Sequence, residues 1–201
     1  MLLALHQDNP ESRLVRRIAA VLEDGGVIVY PTDSVYAFGC DATSKRAVEK
    51  LYRVTKADKV KLMTLVCAEF SQVSEFARVS QFAFRTMKQY MPGPFVFVLE
   101  ASRMVPKLLL QKRKTIGVRI PANPIAQSIV AALGRPLLTT SVKDEDGFFI
   151  SDPEVIHDVY RLQVELVIDG GLCGTTPSTV IDLIGDEAEV IREGKGEVSS
   201  T

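Results

Sequence analysis

The sequence is poor in the residues that build the commonest catalytic centres. Only two histidines occur in 201 residues, His6 near the N-terminus and His157 on the polar face of an expected helix. That argues against a histidine-based triad and against a metal site built on histidine. The three cysteines, Cys40, Cys67 and Cys173, are isolated, odd in number and form no Cys-x-x-Cys pair. A disulfide framework or zinc site does not fit them, and the expected compartment is the cytoplasm, where thiols stay reduced. There is no Gly-x-x-x-x-Gly-Lys-Ser/Thr loop and no Gly-x-Gly-x-x-Gly turn, so the common nucleotide cradles are missing. Neither sign of charge is in excess: the net charge is -1. This argues against a uniformly basic nucleic-acid binder but leaves room for a local basic patch. The opening MLLALHQDNPESRL has an apolar part too short for a membrane span and no basic leader, so neither a signal peptide nor a membrane partner is expected. Gly/Ser linkers, low-complexity segments and internal repeats are also lacking.

What is present is an ordinary globular composition, 46% hydrophobic and 24% charged. At this length one sizeable core is within reach. Asn9-Pro10 reads as the start of a helix whose Leu14, Val15, Ile18, Val21 and Leu22 recur at helical spacing. Gly25-Gly26 stops it, and Val27 to Tyr30 reads as a strand. Ser44 caps a second helix. LMTLVC (62–67), FVFVLE (95–100), TIGVRI (115–120) and PLLTT (136–140) read as strands, with helices over 80–91 and 123–134 between them. Asp152-Pro153 opens a last helix. VELVID (164–169), STVIDL (178–183) and EAEVIR (187–192) close the chain as strands. Strands and helices alternate, so the expected class is α/β. The last strands lack intervening helices, which calls for a mixed parallel and antiparallel sheet. One domain over residues 10–196 is expected, with 197–201 as a frayed tail.

Chemistry concentrates after the strands. In VIVYPTDSVYAFGCDA (27–42) an apolar run ends at Pro31 and is followed by Thr32, Asp33 and Ser34. Thr139, Thr140 and Ser141 end a second strand, and Thr175, Thr176, Ser178 and Thr179 lie in GGLCGTTPSTVID. Each cluster alone is explained by turn and cap preferences. Three at comparable positions favour a ligand site, because open α/β sheets bind ligands beyond their strand ends. In KRKTIGVRIP, Thr115 and Arg119 share one strand face. A buried arginine needs a partner. Two partners stay open at this point: a ligand carboxylate or phosphate, gripped bidentately, and a structural ion pair with Asp33 or Asp182. Between Lys45 and Lys61 a run of lysines and arginines reads as a solvated helix face and loop. Arg192 and Lys195 end the final strand beside two glycines. Hydroxyls and guanidinium groups without a nucleophile and base suit phosphoryl or nucleotidyl transfer, which runs on positioning and charge neutralisation.

Together these motifs resemble the YrdC/YciO family. YPTDSVYAFGCDA, TIGVRIPANPIA, PLLTTS, PSTVID and VIREG match its segments in order, over roughly residues 10 to 196. KRKTIGVRIPANPIAQ, and TTS without a following Asn, look most like the YciO branch. The resemblance implies a YrdC/RibB-like fold: a single-domain, twisted, mixed sheet with flanking helices and a concave basic surface. It implies an L-threonylcarbamoyladenylate synthase-like activity, in which ATP, L-threonine and bicarbonate give threonylcarbamoyl-AMP and pyrophosphate for tRNA modification. On that resemblance Thr32, Ser34, Arg119 and Ser178 would face threonine. Lys56, Lys61, Thr115, Ser141 and Arg192 would face ATP, with Mg2+ accompanying the triphosphate and no resident metal site. No catalytic side chain is assigned, since the threonine carbamate is itself the nucleophile.

Two positions depart from the family pattern. The segment matching Lys-x-Arg reads Thr55-Lys56-Ala57-Asp58, and the segment matching Ser-x-Asn reads Ser141-Val142-Lys143. Losing one transition-state contact costs a factor of about 100 to 1000, so weak synthase activity is expected. The alternative implied is a double-stranded RNA, tRNA or nucleotide-sensing module, with Lys112, Arg113 and Lys114 on the RNA. The extra C-terminal domain of longer family members is not expected here.

Overall fold

The computed structural model describes residues 1–56, 63–110, 114–185 and 187–198. In chain order the elements are β1 (Leu2–Ala4), α1 (Ser12–Glu23), β2 (Ile28–Tyr30), β3 (Ala37–Asp41) and α2 (Lys45–Thr55). Then come β4 (Thr64–Val66), α3 (Phe70–Phe76), β5 (Ala77–Arg78), α4 (Gln81–Tyr90) and β6 (Phe95–Ala101). A 3-10 turn (Lys107–Leu109) leads to β7 (Thr115–Arg119), α5 (Pro124–Leu133), β8 (Leu137–Ser141) and α6 (Pro153–Tyr160). The chain closes with β9 (Leu166–Asp169), β10 (Thr179–Asp182) and β11 (Glu189–Arg192).

The strands form one sheet in the order β1-β9-β2-β3-β8-β4-β7-β6-β10-β11, with β5 on β6. The pairing is mixed, as expected. β1–β9, β2–β9, β4–β7 and β6–β10 are parallel; β2–β3, β3–β8, β4–β8, β6–β7 and β10–β11 are antiparallel.

Local chemistry sets most helix starts. The side chains of Ser44, Ser80, Asn123 and Asp152 accept the first free N–H groups of α2, α4, α5 and α6. Pro124 and Pro153 sit where a missing N–H costs nothing. Gly134 ends α5 with φ +68, a conformation that glycine reaches without strain. The expected Asn9 cap of α1 is corrected: the cap position is Glu11, without a side-chain bond. The Asn9 N–H is held instead by His6 Nδ1 at 3.2 Å. β1 was not legible as a strand, and by pairing with β9 it makes the sheet begin ahead of Pro10.

Two layers cover the sheet unequally. On one face α2, α3, α4 and α6 pack on a core that runs from Val167 through Phe38, Leu65 and Val118 to Phe97 and Ile181. On the other face α1 and α5 bury Ile18, Leu22, Ile125 and Ile129 against β9, β2, β3, β8 and β4. Each such side chain contributes roughly 1.5–3 kcal/mol. That second layer includes no residue of β7, β6 or β10. The apolar layer on this face therefore stops at β4, and beyond it Thr115, Arg119, Val96 and Val98 are buried without joining it.

Glu165 ties the back of the molecule together. It accepts from Val27 N–H at 2.7 Å and pairs with Lys50 of α2. Burial alone would raise its pKa, but the Lys50 bond and charge and the Val27 N–H hold it below the ordinary carboxylate value. A depressed pKa stabilises the fold above the unfolded value of about 4.3, and that contribution is lost as pH falls through the lower folded value. Glu165→Gln is thus expected to lower Tm at pH 7, with the gap to wild type closing below about pH 4. With 39% of the side chain exposed, the effect is below about 1 kcal/mol. A Tm series from pH 3 to 8 checks it; a gap that persists at pH 3 contradicts it.

Candidate functional site

β2 ends at Pro31, and the chain makes a tight polar turn before β3. Thr32 builds that turn. Its hydroxyl accepts from the N–H groups of Ser34 (3.1 Å) and Val35 (3.2 Å) and donates to Val35 O (2.7 Å). A hydroxyl has one donor and two acceptor positions, so Thr32 is spent within the turn although it borders the cavity. Behind it, Ser34 Oγ lies 3.2 Å from Ser178 Oγ and accepts from Arg119 Nη1 at 3.2 Å. Ser34 does not reach the cavity wall; Ser178 and Arg119 do.

Arg119, at the end of β7, is almost wholly buried. The choice left open by its sequence position is settled in part: Nη2 pairs with Asp33, and Nε donates to Gly93 O. The same Asp33 carboxylate accepts from Ala122 N–H at 2.9 Å, joining the turn to the start of α5. Burial pulls the Arg119 pKa down, the Asp33 charge opposes this, and the neighbouring charge of Arg192 adds to the lowering. An arginine stays protonated under such a shift. Of its five N–H groups, Gly93, Ser34 and Asp33 take three, which leaves two for a ligand.

The far wall comes from β8 and β11. Gly39, Thr139, Thr64 and Gly117 lie side by side on β3, β8, β4 and β7. A Cβ on Gly39 would stand 2.7 Å from the Tyr30 ring, so the glycine lets that ring lie flat against the sheet. The Tyr30 hydroxyl donates to Thr139 Oγ1 at 3.1 Å. Burial pushes its pKa up to about 12, so it is a neutral donor at any ordinary pH. Arg192 donates twice to Ser178 O, from Nε at 3.2 Å and Nη2 at 2.8 Å. Lys195 Nζ donates to Asp33 O at 2.6 Å.

These groups enclose a cavity of about 160 Å³ lined by Thr32, Arg119, Ser141, Lys143, Ser178 and Arg192, among others. A second cavity of about 350 Å³ adjoins it, lined by Lys56, Asp144, Glu145 and Tyr160 and sharing Thr140, Ser141 and Lys143 with the first. Together they fall in the range of small-molecule sites, about 300–1,000 Å³.

The structure thus gathers Thr32, Ser34, Arg119, Ser178 and Arg192 at one end, and Ser141 lines the same cavity. Lys56 opens onto the second cavity, at the C-terminal end of α2. Thr115 lines neither cavity. It shares the face of Arg119 but lies four residues back, about 13 Å along the strand. Lys114 precedes it, with φ 54, on the same far end. Lys61, Lys112 and Arg113 lie outside the described residues. Sequence reasoning missed Thr64, hidden in an apolar run, and the carbonyl of Gly93, which has no sequence signal.

The family model for Sua5, YciO and YrdC, described as telomere recombination, matches residues 20–194. The chain belongs to the Sua5/YciO/YrdC family. YciO of Escherichia coli K12 is 46% identical over 196 residues, 96% of this chain and 95% of that one. The crystal structure of E. coli YciO superposes with a TM-score of 0.93 over 98% of this chain and 97% of its own. A threonylcarbamoyl-AMP synthase of Methylobacillus flagellatus is 32% identical over 171 residues, 84% of this chain and 94% of that enzyme. P. abyssi Sua5 complexed with L-threonine gives a TM-score of 0.90 at 25% identity, over 96% of this chain and 57% of that one. Within the Sua5/YciO/YrdC family the chain is thus more similar to E. coli YciO than to the M. flagellatus synthase or to P. abyssi Sua5, as its KRKTIGVRIPANPIAQ segment leads one to expect.

Proposed function

We propose that this protein is a threonylcarbamoyl-AMP synthase-like enzyme, acting on ATP, L-threonine and bicarbonate. The observation that carries the reading is the convergence of Ser178, Arg119 and Arg192 on one cavity that opens into a second. Resemblance to a threonylcarbamoyl-AMP synthase and to a Sua5 that binds L-threonine supports it. The two spare N–H groups of Arg119 would hold the threonine carboxylate, and the Ser178 hydroxyl its polar end. Ser34 acts from behind, fixing both. The threonine amine and bicarbonate form a carbamate: the C–N bond forms, a C–O bond of bicarbonate breaks, and water leaves. A carbamate oxygen then bonds to the α-phosphorus of ATP, the bond from that phosphorus to the bridging oxygen breaks, and pyrophosphate leaves with the electron pair. The side chains position and neutralise charge; none forms a bond to the substrate. Among the described residues no cluster of three or more His, Cys, Asp or Glu side chains could hold a metal ion, so Mg2+ would enter with the triphosphate. The product would feed tRNA threonylcarbamoyladenosine formation in the cytoplasm. No described helix is long and apolar enough to cross a membrane.

Incubation with ATP, L-threonine, bicarbonate and Mg2+, followed by mass spectrometry, is expected to show threonylcarbamoyl-AMP at a low rate. Folded protein giving no product above an enzyme-free blank overturns the synthase reading.

One observation favours a second reading, a nucleotide- or RNA-sensing module: the Arg119 charge is already neutralised by Asp33, which weakens its pull on a carboxylate although two N–H groups remain available. Such a module would bind tRNA or double-stranded RNA with an affinity that falls steeply with salt. Undetectable RNA binding at low ionic strength removes its RNA form.

A further inference from the structure

We infer that Lys143 is a phosphate-binding residue of this site, placed at the seam of the two cavities to hold the triphosphate of a nucleotide. The inference rests on the nucleotide reading above and goes beyond it in naming the group and its place.

Four observations carry it. Lys143 lines both cavities, together with Thr140 and Ser141. Among the described residues neither hydroxyl takes part in a side-chain hydrogen bond, and both face the cavities. The Lys143 backbone is fixed from two sides: its carbonyl accepts from Tyr160 OH at 2.7 Å, and the residue pairs with Phe149 as an isolated antiparallel bridge. The preceding Val142 is fully buried and donates to Tyr36 O at 2.9 Å. The stem of the lysine is therefore anchored. The ammonium makes no ion pair among the described residues and rests over the Phe149 ring, 4.6 Å from its centroid. An aromatic face holds a cation at an exposed site by only about 0.5–1 kcal/mol, so an anion draws it away readily.

The charges around it say where the anion lies. Asp144 and Glu145 line the second cavity, against Lys56 as the cation there besides Lys143 itself among the described residues. Asp144 uses one carboxylate oxygen on the Phe148 N–H at 2.8 Å, turning inward to its own loop. Those two carboxylates disfavour a polyphosphate deep in the second cavity and suit a ribose, whose hydroxyls donate. On the first cavity's side the cations lining it among the described residues are Arg192 and Arg119, and Arg119 is neutralised by Asp33. The phosphates therefore belong at the seam, between Lys143 and Arg192, with Ser141 and Thr140 beneath them. A lysine serves here as a point charge that follows the phosphate, not as a fixed fork.

The test is equilibrium binding of inorganic pyrophosphate and of Mg-ATP by calorimetry. The proteins are wild type, Lys143→Ala, Lys143→Asn and Lys143→Arg, each checked for folding by circular dichroism. Removing the charge is expected to weaken both ligands about 10- to 100-fold. Arginine should keep affinity within a few-fold, and L-threonine binding should stay unchanged in all variants. Wild-type affinity for both ligands in Lys143→Ala overturns the inference, as does an absence of pyrophosphate binding by the wild type. The outcomes separate it from the synthase reading. Lys143-dependent pyrophosphate binding without any threonylcarbamoyl-AMP formation sinks the reaction and keeps the residue. Product formation by Lys143→Ala at the wild-type KM for ATP keeps the reaction and sinks the residue.

Discussion

Arg119→Ala is expected to weaken L-threonine binding by about 100-fold or more and to destabilise the fold by about 3–5 kcal/mol. The two losses have different causes. Ligand affinity falls because the spare guanidinium N–H groups disappear. Stability falls because Asp33, its side chain only 11% exposed, keeps a carboxylate with one remaining donor, the Ala122 N–H. A second variant separates them. Asp33→Asn with Arg119→Ala removes the orphaned charge, while the Asn carbonyl can still accept from Ala122. This double variant should recover much of the lost stability and none of the threonine affinity. Arg119→Lys keeps the charge and loses the fork, so it should fall between wild type and Ala on both measures. Calorimetry with L-threonine and urea unfolding read the two quantities independently. Threonine affinity that survives in Arg119→Ala would remove this residue from the ligand site. A double variant no more stable than the single would show that the cost does not come from Asp33.

The same residue shows how far the sequence could be read. Its burial and its need for a partner followed from its place in an apolar strand. The two candidate partners, a ligand anion and Asp33, could not be ranked, because spacing along a chain says nothing about two loops meeting across a sheet. The structure gives Arg119 to Asp33 and still leaves it on the cavity wall, so the turn of Thr32 to Ser34 is both structural and part of the site. Thr32 and Ser34 were legible as a polar turn after a strand, and only the three hydroxyl clusters at comparable positions pointed beyond a turn to a ligand site. Their division of labour, one shaping the turn and one bridging Arg119 to Ser178, depends on hydrogen-bond capacity that only coordinates reveal. Thr115 shares the face of Arg119, as strand alternation requires, yet lies too far along β7 to reach the cavity. The helices with Ser, Asn or Asp caps were readable because capping is local. The short pieces β1, β3, β5 and α3 were not, since each is held by its neighbours: β1 exists by pairing with β9, and β3, Ala-Phe-Gly-Cys-Asp, is flanked by β2 and β8.

The second large effect is expected from a residue that touches no ligand. Gly194 lies just past β11, where the chain folds back over the start of β10. A Cβ there would stand 2.3 Å from Pro177 O and 2.5 Å from the Ser178 carbonyl carbon. Both atoms are backbone, so neither can swing aside as a side-chain tip would. The glycine's own N–H is bonded to Thr179 Oγ1 at 3.0 Å, and the next residue donates to Pro177 O at 2.8 Å. Gly194→Ala must therefore push the 193–196 segment off β10. Overpacking of this kind costs typically about 1–3 kcal/mol, and a clash confined to backbone belongs at the upper end. The functional loss should be larger than the loss of stability. Arg192 sits two residues upstream, holding Ser178 O, and Lys195 one residue downstream, holding Asp33 O. A shift of about 1 Å in catalytic positioning costs about 100-fold in rate. Expected, then, is a folded protein of lower Tm that still binds weakly and forms little or no product. Glu193→Ala, on the same segment without such contacts, should leave the unfolding free energy within about 0.5 kcal/mol of wild type. Wild-type product formation by Gly194→Ala would mean that the C-terminal segment does not hold Arg192 and Ser178 in place, and the cavity wall would have to be assigned to β7 and β8 alone.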